Sequence, residues 1–367
     1  MKKILFTLLV VGVLINLGLP SFVRAAALGE DFTLIVIPDT QNEAQTHPDV
    51  MNRQFQWIAD QYTAGKNATI AKNIVFVTSV GDIVNTPTSA TEFQNADTAY
   101  DRLDAAGVPY SVSPGNHDLD GLFNTYFGPG RFAGKSYYKG PMKTGENQNN
   151  YSLFSAGGMD FIIINLTFKP SSSVYDWADG LLKANPSRRG IVVQHDMLNT
   201  DNSWLNQAAF TALKDNSNLF LMLSGHMHTQ TDGSAYRAES GTDGHRIHVL
   251  MTDYQEFANG GNGYLRLLRF VPGQDKIAAS IYSPTINSYL TSVSNYEQFE
   301  MAYVMPDAPT PPPVPIRGDF NADRLVNILD YQRLIGALHT TNAAYSLNGS
   351  DNYIDIYDYN EFLKLLK

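Results

Sequence analysis

The chain of 367 residues contains no cysteine. Disulfide frameworks, thiol nucleophiles and cysteine-ligated zinc are therefore excluded, and stability has to come from a core or from metal ions. Positive charge is also scarce. Lys and Arg number 26 against 36 Asp and Glu, a formal net charge of −10. That balance argues against binding nucleic acid or anionic membranes through bulk charge. The body of the chain shows no glycosidase-like pair of carboxylates with assignable acid and base roles. What is present is 43% hydrophobic and 17% charged, which places the chain among folded sequences. Its length suits one large domain plus a small one.

Residues 1–27 read as a secretory signal peptide. Lys2 and Lys3 precede an apolar run, and Ala25, Ala26 and Ala27 offer a cleavage site. The run approaches membrane-spanning length, so an uncleaved anchor is the alternative. Asn16 and Pro20 inside the run, and the alanines after it, favour cleavage. Cleavage would remove Lys2, Lys3 and Arg24 and leave a formal charge of −13. The expectation is a secreted or cell-surface protein with no membrane segment after processing.

A second boundary lies at residues 306–316. Pro309, Pro311, Pro312, Pro313 and Pro315 crowd this stretch, which reads as a semi-rigid extended linker. It separates an α/β body, residues 28–305, from a short acidic module, residues 317–367. In the body, apolar β-branched runs at 33–37, 74–80, 109–113, 161–166, 190–194, 219–224, 247–251, 264–270 and 276–282 read as strands. Helical patterns fall at 50–62, 93–107, 177–185 and 204–215. Alternating strands and helices imply a layered α/β fold. The last strands follow one another without helices, so two partly antiparallel sheets, face to face with helices outside, fit the pattern.

Polar residues recur where these strands end. Asp39 and Gln41 follow the first, Asp82 and Asn85 the second, and Asn116, His117 and Asp118 the third. His195 follows the strand at 190–194, and His226 and His228 the strand at 219–224. A lone Asp at a strand end is more often a turn or a helix cap than a ligand. Several together, on loops that a sheet gathers at one edge, point to a site. Carboxylates, amide oxygens and imidazoles without thiols suit Mn, Fe, Zn, Ni or Mg. The set exceeds what one open site needs, and two ions clamping a displacement at phosphorus would use it.

In that order, D-x-Q, GDxxN, GNHD, a strand-end His and GHMH resemble the calcineurin-like metallophosphoesterase superfamily. The later MTDYQ and GGNGYLRLLRFVP segments resemble a branch carrying DTQ. The resemblance covers roughly residues 30–300. It implies an αββα four-layer sandwich and hydrolysis of phosphomonoesters or phosphodiesters by a metal-bound hydroxide. Asp39, Gln41 and His228 would hold one divalent metal, Asn116, His195 and His226 the other, and Asp82 would bridge. The metals would be Mn, Fe, Zn or Mg. His117 would protonate the leaving oxygen, with Asp118 holding its ring. Gln41 departs from the commoner His. Its amide oxygen is a weaker and harder donor, which predicts looser retention of the first ion and a lean toward Mn or Mg.

Asn85 is a candidate support for the metal ligands. His47, His245 and His248 read as surface or strand histidines. Arg131, Lys135, Tyr137 and Tyr138 read as an ordinary loop rather than a substrate pocket, and Tyr254 and Gln255 as weak candidates for substrate contact.

In the acidic module, Asp319, Asn321, Asp323, Leu325 through its carbonyl, Asn327 and Asp330 fall at positions 1, 3, 5, 7, 9 and 12 of an EF-hand-like loop. A second copy aligns Ser346, Asn348, Asp351, Tyr353, Asp355 and Asp358, with Ser350 inserted. Two loops, each followed by one helix, resemble a type I dockerin. The resemblance implies a small all-α calcium-binding module that docks to a cohesin domain. Arg324 stands where glycine normally permits the turn, and Ser346 replaces the first Asp. The first loop is therefore expected to bind calcium and the second weakly or not at all. The leading reading is a secreted, scaffold-tethered phosphoesterase. The alternatives are a catalytically weak binding protein of the same fold and an accessory of a polysaccharide-degrading assembly.

Overall fold

The computed structural model describes residues 26–291, 296–306, 317–320, 326–341, 347 and 356–366. The expected signal segment up to residue 25, linker residues 307–316, and the calcium candidates Asn321, Asp323, Leu325, Asn348, Asp351 and Asp355 lie outside the described residues. Among the described residues, no helix is long and apolar enough to cross a membrane. The chain divides into two compact units, Met1–Ala308 and Pro309–Lys367.

Two seven-stranded sheets build the first unit. One runs β13 (Ser288–Tyr289), β12 (Lys276–Ser283), β11 (Leu265–Val271), β1 (Phe32–Ile37), β2 (Ile74–Ser79) and β3 (Tyr110–Ser111), with β14 (Phe299–Ala302) also on β12. The other runs β4 (Tyr138–Pro141), β5 (Asn150–Ala156), β6 (Met159–Leu166), β7 (Arg189–Gln194), β8 (Leu219–Ser224), β10 (Arg246–Thr252) and β9 (Ser234–Ser240). Both sheets are mixed. β1, β2 and β3 pair in parallel, as do β6, β7, β8 and β10, and antiparallel strands complete each sheet.

Alternation along the strands creates the layers. In β6, Ile162, Ile164 and Leu166 join α5 (Ser172–Ala184) and α6 (Ala208–Leu213) in one apolar cluster. Phe161 and Ile163 join the cluster that contains the first sheet. Aromatic rings stitch that inner interface. Phe76 of β2 stacks on Phe154 of β5 at 4.7 Å, and Phe32 of β1 meets Phe161 edge-on at 6.0 Å. Such pairs add about 0.5–1.5 kcal/mol each beyond burial. On the outer side of the first sheet lie α1 (Gln41–Thr46), α2 (Pro48–Ala64) and α3 (Ala90–Ala106), whose inward residues Met51, Phe55, Ile58, Phe93, Tyr100 and Leu103 are buried. Pro48 starts α2, and Ser89 caps α3 by accepting the Glu92 N–H.

The structure thus shows the expected two sheets with helices outside. It also shows β4, β5, β9, β13 and β14, which the sequence reading left out. The expected helix at 204–215 shrinks to α6, because Trp204 pairs with Leu198 in an isolated bridge.

The second unit contains α8 (Ile328–Ala337) and α9 (Ile356–Leu365), following the short α4 (Phe123–Phe127) and α7 (Ala258–Gly261) of the first. Leu334, Ala337, Leu347 and Phe362 form its small core. Asn327 and Asp330, expected calcium ligands, cap α8. The Asn327 side chain accepts the Leu329 N–H at 2.8 Å, and the buried Asp330 carboxylate accepts from Phe320 and Asn327 at 2.7 and 2.9 Å. Asp358 accepts from Leu347 at 2.5 Å. Each loop-closing carboxylate therefore reaches back to the residue after its expected loop start, Asp319 or Ser346.

Candidate metal centre

Parallel strands of both sheets deliver their following loops to one edge, and polar side chains hold the two edges together there. Asn165 of β6 donates to Thr78 of β2 at 3.3 Å, and Ser113 donates to the Leu166 carbonyl at 2.7 Å. His195, after β7, places Nδ1 3.0 Å from the Val80 carbonyl beyond β2.

Asp82, His195 and His226 offer ligand atoms within 4.8 Å of one another. His195 Nε2 lies 3.2 Å from Asp82 Oδ2 and 3.8 Å from Asp39 Oδ2. The two oxygens of each carboxylate are not equivalent. Asp82 Oδ1 accepts the His117 N–H at 2.9 Å, Asp39 Oδ2 accepts the His226 N–H at 3.1 Å, and Asp39 Oδ1 has no partner. Asp82 and His226 both adopt left-handed backbone angles, with φ of 47° and 76°. Such strain in non-glycine residues gathers at functional sites. Neighbouring glycines make room: a Cβ at Gly115 would overlap Asp82 Oδ1, and one at Gly225 would overlap Asp39 Oδ1.

Buried acceptors without partners supply the test of whether this site fits cations. They are Asp39 Oδ1, Gln41 Oε1, Asn116 Oδ1, His195 Nε2 and His228 Nδ1. A buried polar atom left unmade costs about 1–3 kcal/mol, and native proteins rarely tolerate several together. The bond from His195 Nδ1 to a carbonyl fixes its proton there and leaves the Nε2 lone pair available. The donor set, carboxylate and amide oxygens with imidazole nitrogens, fits divalent cations.

Burial pushes the His195 imidazole down, but Asp82 outweighs it and leaves His195 raised in the cation-free centre. Burial, then the charges of Asp253 and Asp82, push the Asp39 carboxyl well above its ordinary range. Burial likewise raises Asp118 to about 7 and Asp253 to about 6. Burial also pushes Asp82 up, but His195 and His117 outweigh it and leave Asp82 lowered. Burial and the charge of His195 push His226 down to about 4, so its imidazole stays neutral and able to ligate. This concentration of buried carboxylates is a place that cations would stabilise.

Two expectations need correction. Asp118 does not hold the His117 ring. Its carboxylate accepts the main-chain N–H groups of Ile83, Val84 and Gly115 at 2.8–3.1 Å, clamping the two ligand loops together. The ring partner is the carbonyl of Asn85, 2.7 Å from His117 Nδ1. Glu92 of α3 fixes that carbonyl by accepting the N–H groups of Asn85 and Thr86, both at 2.8 Å. Tyr254 is not a substrate contact. It is buried, with its hydroxyl bonded to Ser234, Thr252 and Arg266.

Arg131 and Lys135 form an ionic cluster with Asp97, Asp101 and Asp104 of α3, as an ordinary loop would. Tyr137 is buried, and Tyr138 donates to Asn147 at 2.8 Å. His47 is the residue between α1 and α2, His245 pairs with Asp243 on a turn, and His248 is buried in β10. Three residues near the centre escaped the sequence reading of ligands. Phe168 sets its ring 5.9 Å from that of His195 and 5.4 Å from that of His226. Asp253 and Gln255 follow β10, and Gln255 Nε2 lies 2.6 Å from His228 Nε2.

Residues 32–230 match the sequence profile of the calcineurin-like phosphoesterases. The uncharacterized protein YvnB of Bacillus subtilis is 32% identical over 287 residues, which is 74% of this chain; the chain spans only 22% of that relative's length. A solved crystal structure aligns with 69% of this chain and 99% of its own, with a TM-score of 0.42 and 11% identity.

Proposed function

We propose, from the premise that the chain belongs to the calcineurin-like phosphoesterase family, that it is a two-metal hydrolase of phosphomonoesters or phosphodiesters. The observation that carries this reading is the set of five buried, partnerless acceptors gathered from four strand-end loops, those after β1, β3, β7 and β8. Asp39, Gln41 and His228 would hold one cation and Asn116, His195 and His226 the other, with Asp82 between them. Such cations, when bound, neutralise phosphoryl oxygens and lower the pKa of water.

The chain's own groups do the rest. Asp82 receives the His117 N–H and so ties the acid's backbone to the ligand cluster. The Asn85 carbonyl holds a proton on His117 Nδ1, which leaves Nε2 as the nitrogen that gives a proton to the departing oxygen. Asp118 keeps the loops that carry Asp82 and Asn116 in register.

The proposal extends to an exported protein whose second unit binds calcium and docks to a cohesin. The support there is the matching back-bonds of Asp330 and Asp358, and exposed apolar residues on both helices, among them Ile328, Leu329, Tyr357 and Leu363.

The test is to deplete the protein of metal, restore Mn, Zn or Mg, and assay p-nitrophenyl phosphate and its bis ester. Turnover of either ester with a restored metal is expected. Hydrolysis of neither, with every metal, would leave a binding protein of the same fold.

A further inference from the structure

We infer that the turn at residues 253–255 is an unassigned wall of the first cation's seat. In it Asp253 supplies a carboxylate beside Asp39, Gln41 and His228, and Gln255 fixes the His228 ring. The inference rests on the two-metal reading and deepens it, because it names the class of ion the seat takes.

The turn follows β10, which pairs in parallel with β8, the strand that leads to His226 and His228. It therefore reaches the same edge as the other ligand loops. Asp253 is fully buried. Its Oδ1 accepts the Gln255 N–H at 3.0 Å, but Oδ2 is buried with no partner. Among the described residues no lysine or arginine pairs with it. The nearby buried Arg266 spends its terminal nitrogens on Tyr296, Glu297, Ser234 and Tyr254. A turn needs only one side-chain oxygen, and Asn would cap it without burying a charge. The second oxygen is unexplained by the turn.

Its surroundings point to the first seat. Asp253 is tied by its Oδ1 to Gln255, and Gln255 touches the His228 ring, so the turn lies against that seat. Gln255 completes the arrangement. Its amide meets His228 Nε2 at 2.6 Å, its Oε1 has no partner, and its own carbonyl is anchored by Asn42 at 3.0 Å. With the amide turned over, Oε1 accepts a proton from Nε2, and the partnerless His228 Nδ1 keeps its lone pair for a cation.

Two side chains thus answer the weakness of Gln41. The first seat becomes rich in oxygen, with Asp39, Gln41, Asp82 and Asp253 and a single imidazole. That donor set suits Mn2+ or Mg2+, whereas the second seat keeps two imidazoles and suits Zn2+ or Fe2+.

The experiment is titration of the metal-free full chain with Mn2+ by calorimetry, alongside melting of the metal-free forms. Wild type is expected to show two sites. Asp253→Asn is expected to weaken one of them at least tenfold and leave the other within twofold, while the metal-free protein melts at the same temperature or higher, since a repelling carboxylate is gone. Gln41→His added to Asp253→Asn is expected to restore the weakened site. Two sites of unchanged affinity in Asp253→Asn overturn the inference and leave the two-metal reading standing. A lowered melting temperature without a change in affinity assigns Asp253 to the turn alone and also overturns it. A wild type that binds no divalent cation overturns both.

Discussion

His117 Nδ1 lies 2.7 Å from the main-chain oxygen of Asn85. A carbonyl accepts only, so the Nδ1 proton is fixed and proton exchange is confined to Nε2. His117→Ala should therefore lower kcat by about 10²–10⁴-fold while the bound metal per chain stays at the wild-type level. Steady-state kinetics with elemental analysis of the same samples check this. A loss of metal in step with activity would assign His117 to ligand support instead.

Asp118 is a clamp, and its removal should show first in stability. The carboxyl serves three buried N–H groups, and a buried donor left without its partner costs about 1–3 kcal/mol. Asp118→Asn keeps one acceptor and turns an NH2 toward donors. Urea denaturation of the metal-free protein should show a loss of at least about 2 kcal/mol. An unchanged midpoint would mean that the loops hold together without it.

Metal removal should destabilise the first unit. Asp39, Asp118 and Asp253 are buried carboxylates raised by burial, with neighbouring carboxylates adding to it at Asp39 and Asp118. A divalent ion at one hundred times its Kd adds about 2.7 kcal/mol to the folded state. Calorimetric melting should shift upward as Mn2+ is added and return with chelator. A melting temperature indifferent to divalent ions counts against the site.

His248 links the sheets away from the metal edge. Nδ1 faces the Tyr236 hydroxyl at 2.9 Å and Nε2 faces the Ala302 carbonyl of β14 at 3.1 Å. Nε2 therefore carries the proton and Nδ1 accepts. Burial lowers its pKa below the ordinary 6.5, the Ala302 bond opposes, and Arg246 adds to the lowering. The folded value lies below the unfolded one, so the neutral ring's contribution is present above pH 6.5 and fades as pH falls through the folded value. His248→Gln keeps a donor for Ala302 and removes the titration. Melting temperatures between pH 8 and pH 5 should converge at the acid end, with the variant's profile flatter than that of wild type.

The polar residues that converge at the strand ends were legible because two signals coincide there. A run such as TLIVI or LFLMLS announces a buried strand, and the polar residue that breaks it sits on the loop beyond. The missed features lack one of the two signals. Asn85 stood out through its side chain, but it acts through its carbonyl, which every residue carries, so its bond to His117 was not legible. Asp253 follows a readable strand, but Asp-Tyr-Gln also reads as an ordinary turn. The partner that gives it meaning, His228, lies 25 positions earlier. β4, β9, β13 and β14 are partly exposed edge or short strands without a continuous apolar run. β5 alternates cleanly, with Asn150, Ser152, Phe154 and Ala156 buried, but two of those inward residues are polar, which masks the period.

Gly115 and Gly225 carry no ligand atom, yet a methyl group on either would occupy the space of an Asp82 or Asp39 oxygen. The centre is thus written partly in vacant volume. A descendant of this chain can retain each of the seven proposed ligand side chains and still lose the shape of the centre through one added carbon. Competence among relatives is therefore better judged from the two glycines together with the ligands than from the ligands by themselves.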